Sequence, residues 1–150
     1  MIGSNVEKPA IFVIASNAEK AVVKELLAGI EEEGIPYDVK NITFNESSVL
    51  KYLHEASQKS RMGIAVAIIN NRIILQHNKL RQEKPLLDIN LNFYDKEEKA
   101  RTIGANAARL YKVMPLKGID NLEDKLREKI TETVISVLKN FDIEIHREGF

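Results

Sequence analysis

Three consecutive glutamates, Glu31, Glu32 and Glu33, are the residues of this chain best suited by type and position to chemistry with a cation. They stand in the last turn of the first predicted helix, where the macrodipole is negative and each carboxylate costs a few tenths to about 1 kcal/mol. One explanation is a solvated acidic patch that helps solubility. The other is that one glutamate is held toward a metal ion or toward a basic group of a partner. Mg²⁺ and Ca²⁺ require about six or more oxygen ligands, so a metal here would take most ligands from another chain.

Other candidate catalytic residues form no recognisable site. His54, His77 and His146 lie far apart, and no two have the spacing of metal ligands. His77 follows an apolar run and suits a surface, hydrogen-bonding or interface role about equally. The first predicted turn from strand to helix, residues 15–19, has no glycine with which backbone could approach a phosphate. No nucleophile-elbow motif occurs, so a free-standing small α/β enzyme has no motif in its favour.

The composition predicts one domain whose partners include neither nucleic acid nor a membrane. The 150 residues are 44% hydrophobic, enough for a core. Lysine plus arginine and aspartate plus glutamate number 22 each, so no net field attracts nucleic acid or an anionic membrane. Cysteine is absent, which excludes disulfides and zinc–cysteine sites and fits a reducing compartment. The apolar stretch 10–15 is too short for a signal peptide, and we expect a soluble cytoplasmic protein.

The order of elements predicts a three-layer α/β fold with a mostly parallel, Rossmann-like sheet, one antiparallel return strand and an extra C-terminal helix. Strands are predicted at residues 10–15, 37–39, 63–69, 72–76 and 87–91. Helices are predicted from a Ser16/Glu19 capping box to Gly34, from Ser47 or Ser48, over 96–113, and over 120–141. The turn at Asn70-Asn71 makes the fourth strand return antiparallel. Residues 1–150 then form one domain, with a core at about 9–116 and a helical extension at about 120–141.

The third predicted helix has an unusually small-residue face that includes Gly104, Ala105 and Ala108. A glycine inside a helix costs about 1 kcal/mol against alanine, so a close approach of other backbone should offset it. That backbone belongs either to a strand of the same domain, as the helix packs on its own sheet, or to another subunit. For the second case we name Gly104, Ala105, Ala108 and His77 as candidate interface residues. An exposed apolar face there would also make the isolated chain form homo-oligomers.

Several segments resemble the small subunit of diol and glycerol dehydratase reactivating factors. Residues 29–36 (GIEEEGIP) are similar to that family's GLEEQGVP, and residues 101–116 (RTIGANAARLYKVMPL) are similar to its RTLGANAGQLVKVLPL. Residues 62–65 and 73–80 resemble its VGIG strand and IALTHAQL return. Order and spacing agree from about residue 9 to 116, and the segment 101–116 is the most specific. Residues 81–90 do not match the family closely, and the part after about residue 117 extends beyond its typical small subunit.

The resemblance implies a non-catalytic subunit with two kinds of partner. One is a large, actin-like ATPase subunit, and the other is the subunits of an adenosylcobalamin-dependent dehydratase. The small subunit would leave the ATPase, and a dehydratase medium subunit of the same fold would take its place. This chaperone-like exchange would release damaged cobalamin, in the cytoplasm or a bacterial microcompartment of propanediol utilization.

The family also implies a metal role for the acidic segment. A glutamate there completes a Mg²⁺ or Ca²⁺ site beside the ATP or ADP of the large subunit. The alignment matches Glu32, with Glu31 as the neighbour one residue away. The alternative is a medium subunit of the dehydratase itself, a lyase component; this chain is shorter and lacks a long N-terminal extension.

Overall fold

The computed structural model describes residues 8–112 and residue 132. The strands are β1 (Ile11–Ser16), β2 (Tyr37–Asn41), β3 (Ile64–Ile69), β4 (Arg72–His77) and β5 (Leu87–Asn90). The helices are α1 (Lys20–Glu32), α2 (Val49–Lys59) and α3 (Lys96–Lys112). The predicted helix over 120–141 lies outside the described residues, as does Pro115. Among the helices described, none has the length and apolar character needed to cross a membrane.

The strands form one sheet in the order β2-β1-β3-β4-β5. β1 pairs in parallel with β2 and with β3, whereas β4 is antiparallel to both β3 and β5. Four strands therefore point one way and β4 alone returns, which confirms the predicted mixed sheet. The return is made at Asn70, whose φ of 54° lies in the left-handed region that asparagine tolerates.

Two apolar cores on opposite faces of the sheet give the predicted three layers. On one face Ile11 and Val13 of β1 pack with α1 and α3, and on the other Ile14 packs with α2. β3 is buried along its whole length, as its uninterrupted apolar sequence predicts for a central strand covered on both sides.

The first helix begins differently from the prediction. The capping box proposed for Ser16 and Glu19 is wrong, because Ser16 is the last residue of β1 and α1 starts at Lys20 without a side-chain cap. The Ser16 hydroxyl instead donates to the carbonyl of Phe44 at 3.0 Å and accepts the Phe44 N–H at 3.2 Å. The C-terminal prediction is confirmed, because Gly34 follows the helix with a φ of 77°.

α1 and α3 run in the same direction and pack together unusually closely. A Cβ atom added at Gly29 of α1 would overlap the carbonyl of Arg101 and lie 2.8 Å from the nitrogen of Ala105. A Cβ atom added at Gly104 would overlap the carbonyl of Leu26. The close approach predicted for Gly104 is therefore present, but the predicted partner is wrong, because the helix α1 of the same chain makes the approach instead of a strand or another subunit. The contact requires glycine on both sides.

Candidate functional site

The outer edge of the α1–α3 contact carries acidic side chains on α1 and its two cap residues and basic side chains on α3. Its ion pairs join Glu19 to Lys96 at 2.8 Å, Glu25 to Arg101 at 3.0 Å, Glu32 to Arg101, Glu33 to Arg109 at 3.0 Å and Glu33 to Lys112 at 2.7 Å. We call this row the α1–α3 ion-pair row. It explains how acidic residues are accommodated at the negative end of α1, because cations of a neighbouring helix lie beside them.

Glu32 is held by Arg101 through both carboxylate oxygens. The Arg101 Nε–H donates to Oε1 at 3.2 Å, and a terminal N–H group of the same guanidinium donates to Oε2. These hydrogen bonds lower the pKa of Glu32, with the positive charge of Arg101 adding to the effect, and they raise the pKa of Arg101 in turn. A bidentate pair of this kind fixes the orientation of the carboxylate, so Glu32 could offer another cation only the lone pairs that Arg101 leaves unused.

Glu33 is the most enclosed of the three acidic residues. Its side chain is 17% exposed and lies between Lys112 and Arg109. The hydrogen bond from Lys112 lowers the pKa of Glu33, and the one from Arg109 lowers it further. Glu33 is thus engaged within the chain and is the least available of the three to a partner.

Glu31 is exposed, and its carboxylate has no hydrogen bond or ion pair to any residue of 8–112. It is therefore the carboxylate of the acidic segment that could bind an outside cation without breaking a contact with residues 8–112. Carboxylate oxygen is a ligand suited to Mg²⁺ and Ca²⁺. No group of three or more His, Cys, Asp or Glu residues in the described part could hold a metal ion. The residues present therefore fit the role of contributing one ligand to a site completed elsewhere.

The predicted interface residues lie in different environments. Ala108 is fully buried, and Gly104 is buried beneath α1. Neither presents a surface to a second chain in this structure, so the exposed apolar patch expected there does not form at these positions. Ala105 is half-buried, and its role as an interface residue stays a prediction.

His77 is the last residue of β4 and is only 6% exposed. Its ring Nδ1 accepts a hydrogen bond from the backbone N–H of Lys79 at 3.1 Å. Burial, with the nearby charge of Lys79, lowers the pKa of His77 to about 4, so the ring is neutral at physiological pH. His77 lies at the end of the strands where β3 begins and where α1 ends. A role for His77 in an interface remains a prediction.

At the other end of the strands, doubly wound folds bind ligands in a crevice beyond the carboxyl ends of neighbouring parallel strands. Here a polar network fills that position between β1 and β3. Asn17, with a φ of 50°, donates to the Asn70 side chain at 2.6 Å, and Asn70 donates to Glu46 at 2.9 Å. Arg72 extends the network by pairing with Glu46 and Asp88, and its hydrogen bond with Asp88 raises the pKa of Arg72. Side-chain hydrogen bonds thus occupy a place where a nucleotide-binding turn would present glycines.

Sequence reasoning missed Arg101, which is the residue that most constrains Glu32. A signal is nevertheless present, because α1 is rich in glutamate and α3 carries Arg101, Arg109 and Lys112 with side chains that reach α1. This signal can be interpreted only when the two helices are known to be neighbours in the fold, because 69 positions separate Glu32 from Arg101 in the sequence.

Comparisons with known proteins agree on one family. The family model described as dehydratase medium subunit matches residues 8–117. The small subunit of the propanediol dehydratase-reactivating factor of Citrobacter freundii is 30% identical over 117 residues, covering 76% of this chain and 95% of that protein. The small subunit of the diol dehydratase-reactivating factor of Klebsiella michiganensis is 27% identical over 120 residues, covering 80% of this chain and 93% of that protein.

Solved structures give the same result for the fold. A chain in the structure of diol dehydratase-reactivating factor complexed with ADP and Mg²⁺ aligns with a TM-score of 0.63 and 27% identity, covering 75% of this chain and 100% of that one. A glycerol dehydratase reactivase chain aligns with a TM-score of 0.62 at 24% identity and supports the fold alone. The mixed sheet, its three layers and these matches together place the chain in the dehydratase medium subunit family, among relatives that are small subunits of dehydratase-reactivating factors.

Proposed function

We propose that this chain is the non-catalytic small subunit of a reactivating factor for an adenosylcobalamin-dependent diol or glycerol dehydratase. The observation that carries the proposal is the extent of the match. The aligned part of this chain accounts for 95% and 93% of two curated small subunits, and for all of the aligned chain in a reactivating-factor structure. The match therefore concerns the whole of those subunits rather than a shared motif.

In this proposal the chain works by exchange between two partners. One partner is a large, actin-like ATPase subunit, and the other is a dehydratase that holds a damaged cobalamin. The chain shares a family with dehydratase medium subunits, so a medium subunit of the same shape can replace it on the ATPase. Loss of that subunit contact loosens the inactivated dehydratase and lets the damaged cobalamin leave, and ATP then resets the complex. The exchange takes place in the cytoplasm or inside a bacterial microcompartment.

We assign the acidic end of α1 to the contact with the large subunit. A reactivating-factor relative has been solved with ADP and Mg²⁺, and the exposed end of α1 could contribute one carboxylate to such a metal on the partner. The sequence alignment favours Glu32. The described contacts favour Glu31, because Glu32 is already bound by Arg101 whereas Glu31 has no partner within residues 8–112. The metal would supply a positive bridge between the subunits, and this chain would orient one ligand toward it.

The test is to tag this chain in its native cell and identify what co-purifies, first with Mg²⁺ and ADP and then with ATP. The proposal expects an actin-like ATPase subunit whose capture depends on the nucleotide. Recovery of neither this ATPase nor any dehydratase subunit would contradict it.

A second candidate is a medium subunit of the dehydratase itself, favoured by the description of the family model. In that role the chain would sit permanently beside a cobalamin-binding large subunit. The same co-purification separates the two candidates. Stable capture of a cobalamin-containing dehydratase subunit, equal with and without nucleotide, would support the medium-subunit role.

A further inference from the structure

A groove of about 710 Å³ lies along the edge of the sheet, on the face that carries α2. α2 packs on β1, β3 and β4, and the core beneath it includes no residue of β2. Asp38 of β2 is paired in register with Phe12 of β1, and both residues line the groove. The groove is therefore the part of the α2 face that α2 leaves uncovered, over β2 and the start of β1.

Three lysines surround this groove, namely Lys8 before β1, Lys40 of β2 and Lys59 at the end of α2. All three are exposed, and none forms an ion pair with another residue of 8–112. Asp38 is the one carboxylate among the described residues of the lining. The groove therefore carries a positive charge, although the net charge of the whole chain is zero.

The positive charge continues beyond the groove at the same end of the strands. The Gln58 side chain donates to the Asn78 carbonyl at 2.9 Å, which joins the last turn of α2 to the loop after β4. That loop places Lys79, Arg81 and Lys84 around a second, smaller depression of about 260 Å³. Charge complementarity with this surface favours an acidic partner.

β2 also offers backbone hydrogen-bonding groups, because it is an edge strand of the described sheet. In its parallel pairing with β1, the Ile11 N–H donates to the Pro36 carbonyl at 3.0 Å, so the even-numbered residues of this segment bond to β1. Backbone direction alternates along a strand. The N–H and C=O groups of Tyr37, Val39 and Asn41 therefore point away from β1, where one more strand could pair with them.

These backbone groups distinguish a protein strand from other anionic occupants. Nucleic acid or an anionic membrane could meet the lysines, but neither presents a row of amide groups at the spacing of a strand. An added strand would place alternate side chains on the groove side, beside Lys40 and Lys59. Its other side chains would lie beside Tyr37 and Val39, which pack against the core beneath α1 and α3. The two faces of β2 therefore fit acidic residues that alternate with apolar ones.

We propose that β2 and its lysine-rimmed groove bind an extended segment of a partner protein in which acidic and apolar residues alternate. Main-chain hydrogen bonds to the outer side of β2 supply the attachment, and the pairing of carboxylates with Lys8, Lys40 and Lys59 sets the register, as in other cases of strand addition. The bound segment also covers an edge that is otherwise open to unwanted strand pairing. This groove lies on the opposite face of the sheet from α1, so the contact is separate from the one assigned to the end of α1.

The test is a nuclear magnetic resonance titration of the whole chain with the capped peptide Glu-Val-Glu-Val-Glu at low ionic strength. At saturation the peptide should slow amide hydrogen exchange at Tyr37, Val39 and Asn41 by at least about 10-fold. The amides of Asp38 and Lys40, which face β1, should keep their rates. The capped peptide Lys-Val-Lys-Val-Lys should have no effect, because the lysines of the groove repel it.

A charge reversal supplies the variants. Lys40→Glu combined with Lys59→Glu should weaken binding of the acidic peptide by at least about 10-fold and should allow the lysine peptide to bind. Lys20→Glu combined with Lys24→Glu is the matched control, because it makes the same charge change at exposed positions of α1. That control should leave both results as they are in the native chain.

Four results would overturn the proposal. One is absence of binding by the acidic peptide, or binding that the reversal at Lys40 and Lys59 leaves unchanged. A second is protection of the outward amides in the chain alone, because another part of the chain would then occupy the edge. A third is protection that increases with protein concentration, because the added strand would then come from a second copy. The fourth is equal or tighter binding of a single-stranded oligonucleotide of the same charge, because backbone pairing would then play no part.

Discussion

Gly29 and Gly104 lie on the two sides of one helix crossing, and neither position has room for a Cβ atom. A Cβ atom at Gly104 would overlap the Leu26 carbonyl and lie 3.2 Å from the nitrogen of Ile30, and one at Gly29 would overlap the Arg101 carbonyl. The two glycines therefore set the separation of α1 and α3. That separation in turn lets the glutamates of α1 reach the cations of α3 in the α1–α3 ion-pair row.

The first prediction concerns Gly104→Ala. The helix propensity of alanine would favour folding by about 1 kcal/mol, but the added methyl group must push two backbones apart, and overpacking typically costs about 1–3 kcal/mol or more. With backbone as the obstacle, we expect a net loss of about 2 kcal/mol in the free energy of unfolding, measured by urea denaturation. Gly34→Ala is the control, because no atom of the described residues lies within 4 Å of its Cβ position. That variant involves no overlap of atoms and should lose only the cost of its left-handed backbone, about 1–2 kcal/mol. A Gly104→Ala chain as stable as the native one would show that the crossing does not need glycine.

The second prediction concerns Ser16→Ala. The Ser16 hydroxyl bonds both the C=O and the N–H of Phe44, and both residues are buried. Removing the hydroxyl leaves these backbone groups without their partner, so we expect a loss of about 1–3 kcal/mol in the free energy of unfolding. Ser48→Ala should cost about 0.5 kcal/mol or less, because the Ser48 hydroxyl is exposed. If Ser16 acted as a helix cap, Ser16→Thr and Ser16→Asn would keep the free energy of unfolding. In this structure both substitutions should lower it, because the larger side chain must fit a site buried against Phe44.

The third prediction is a pH dependence that originates at His77. Its pKa in the folded chain is about 4, against an ordinary value of 6.5. As pH falls below 6.5 the unfolded chain takes up a proton before the folded chain does, so stability falls between pH 6.5 and pH 4. The difference between pH 7.5 and 4.5 should be about 2–3 kcal/mol from this residue alone.

The measurement is urea denaturation across that pH range. His77→Gln should flatten the dependence, because glutamine offers an acceptor to the Lys79 N–H without taking up a proton. His54→Gln is the matched control and should leave the slope of the native chain in place. Unchanged slopes for His77→Gln would mean that another group carries the pH dependence. Glu32 and Glu33 add a further loss at lower pH, because their lowered pKa values make stability fall as pH drops through the ordinary carboxyl range.

The fourth prediction separates Glu31 from Glu32 as the carboxylate offered to a metal on the partner. If Glu31 is the ligand, Glu31→Gln should weaken Mg²⁺-dependent binding to the large subunit about 10-fold or more, and Glu32→Gln should have a smaller effect. If Glu32 is the ligand, Glu32→Gln should weaken the binding. Arg101→Gln should then strengthen it, because Arg101 no longer competes for the carboxylate. The measurement is isothermal titration with Mg²⁺ and with chelator. Unchanged affinity for both glutamate variants would show that neither Glu31 nor Glu32 is a ligand of the metal.

Much of the fold could be predicted because each signal was local. The apolar run of β3, the Asn70-Asn71 turn and the small-residue face of α3 each depend on neighbours in sequence, and each prediction holds. Ser16 was misassigned because a serine followed three residues later by glutamate suits a capping box. Its true partner, Phe44, is 28 residues away.

The candidate site was only partly predictable, for a related reason. The unfavourable charge at the end of α1 identified Glu31, Glu32 and Glu33 as unusual. Whether each carboxylate is free depends on α3, whose residues lie about 70 positions further along the chain. The buried position of Gly104 depends on the same helix crossing. Local sequence patterns could show that a close approach occurs there, and only the fold shows that α1 makes it.

Binding between purified proteins tests the proposed reactivating-factor role. A reactivating-factor large subunit is titrated with this chain in the presence of Mg²⁺ and ADP, and dehydratase medium subunit is then added as a competitor. We expect a stable complex that Mg²⁺ and ADP strengthen and that the medium subunit displaces. Absence of binding to the large subunit, together with a nucleotide-independent complex with the dehydratase large subunit, would contradict it.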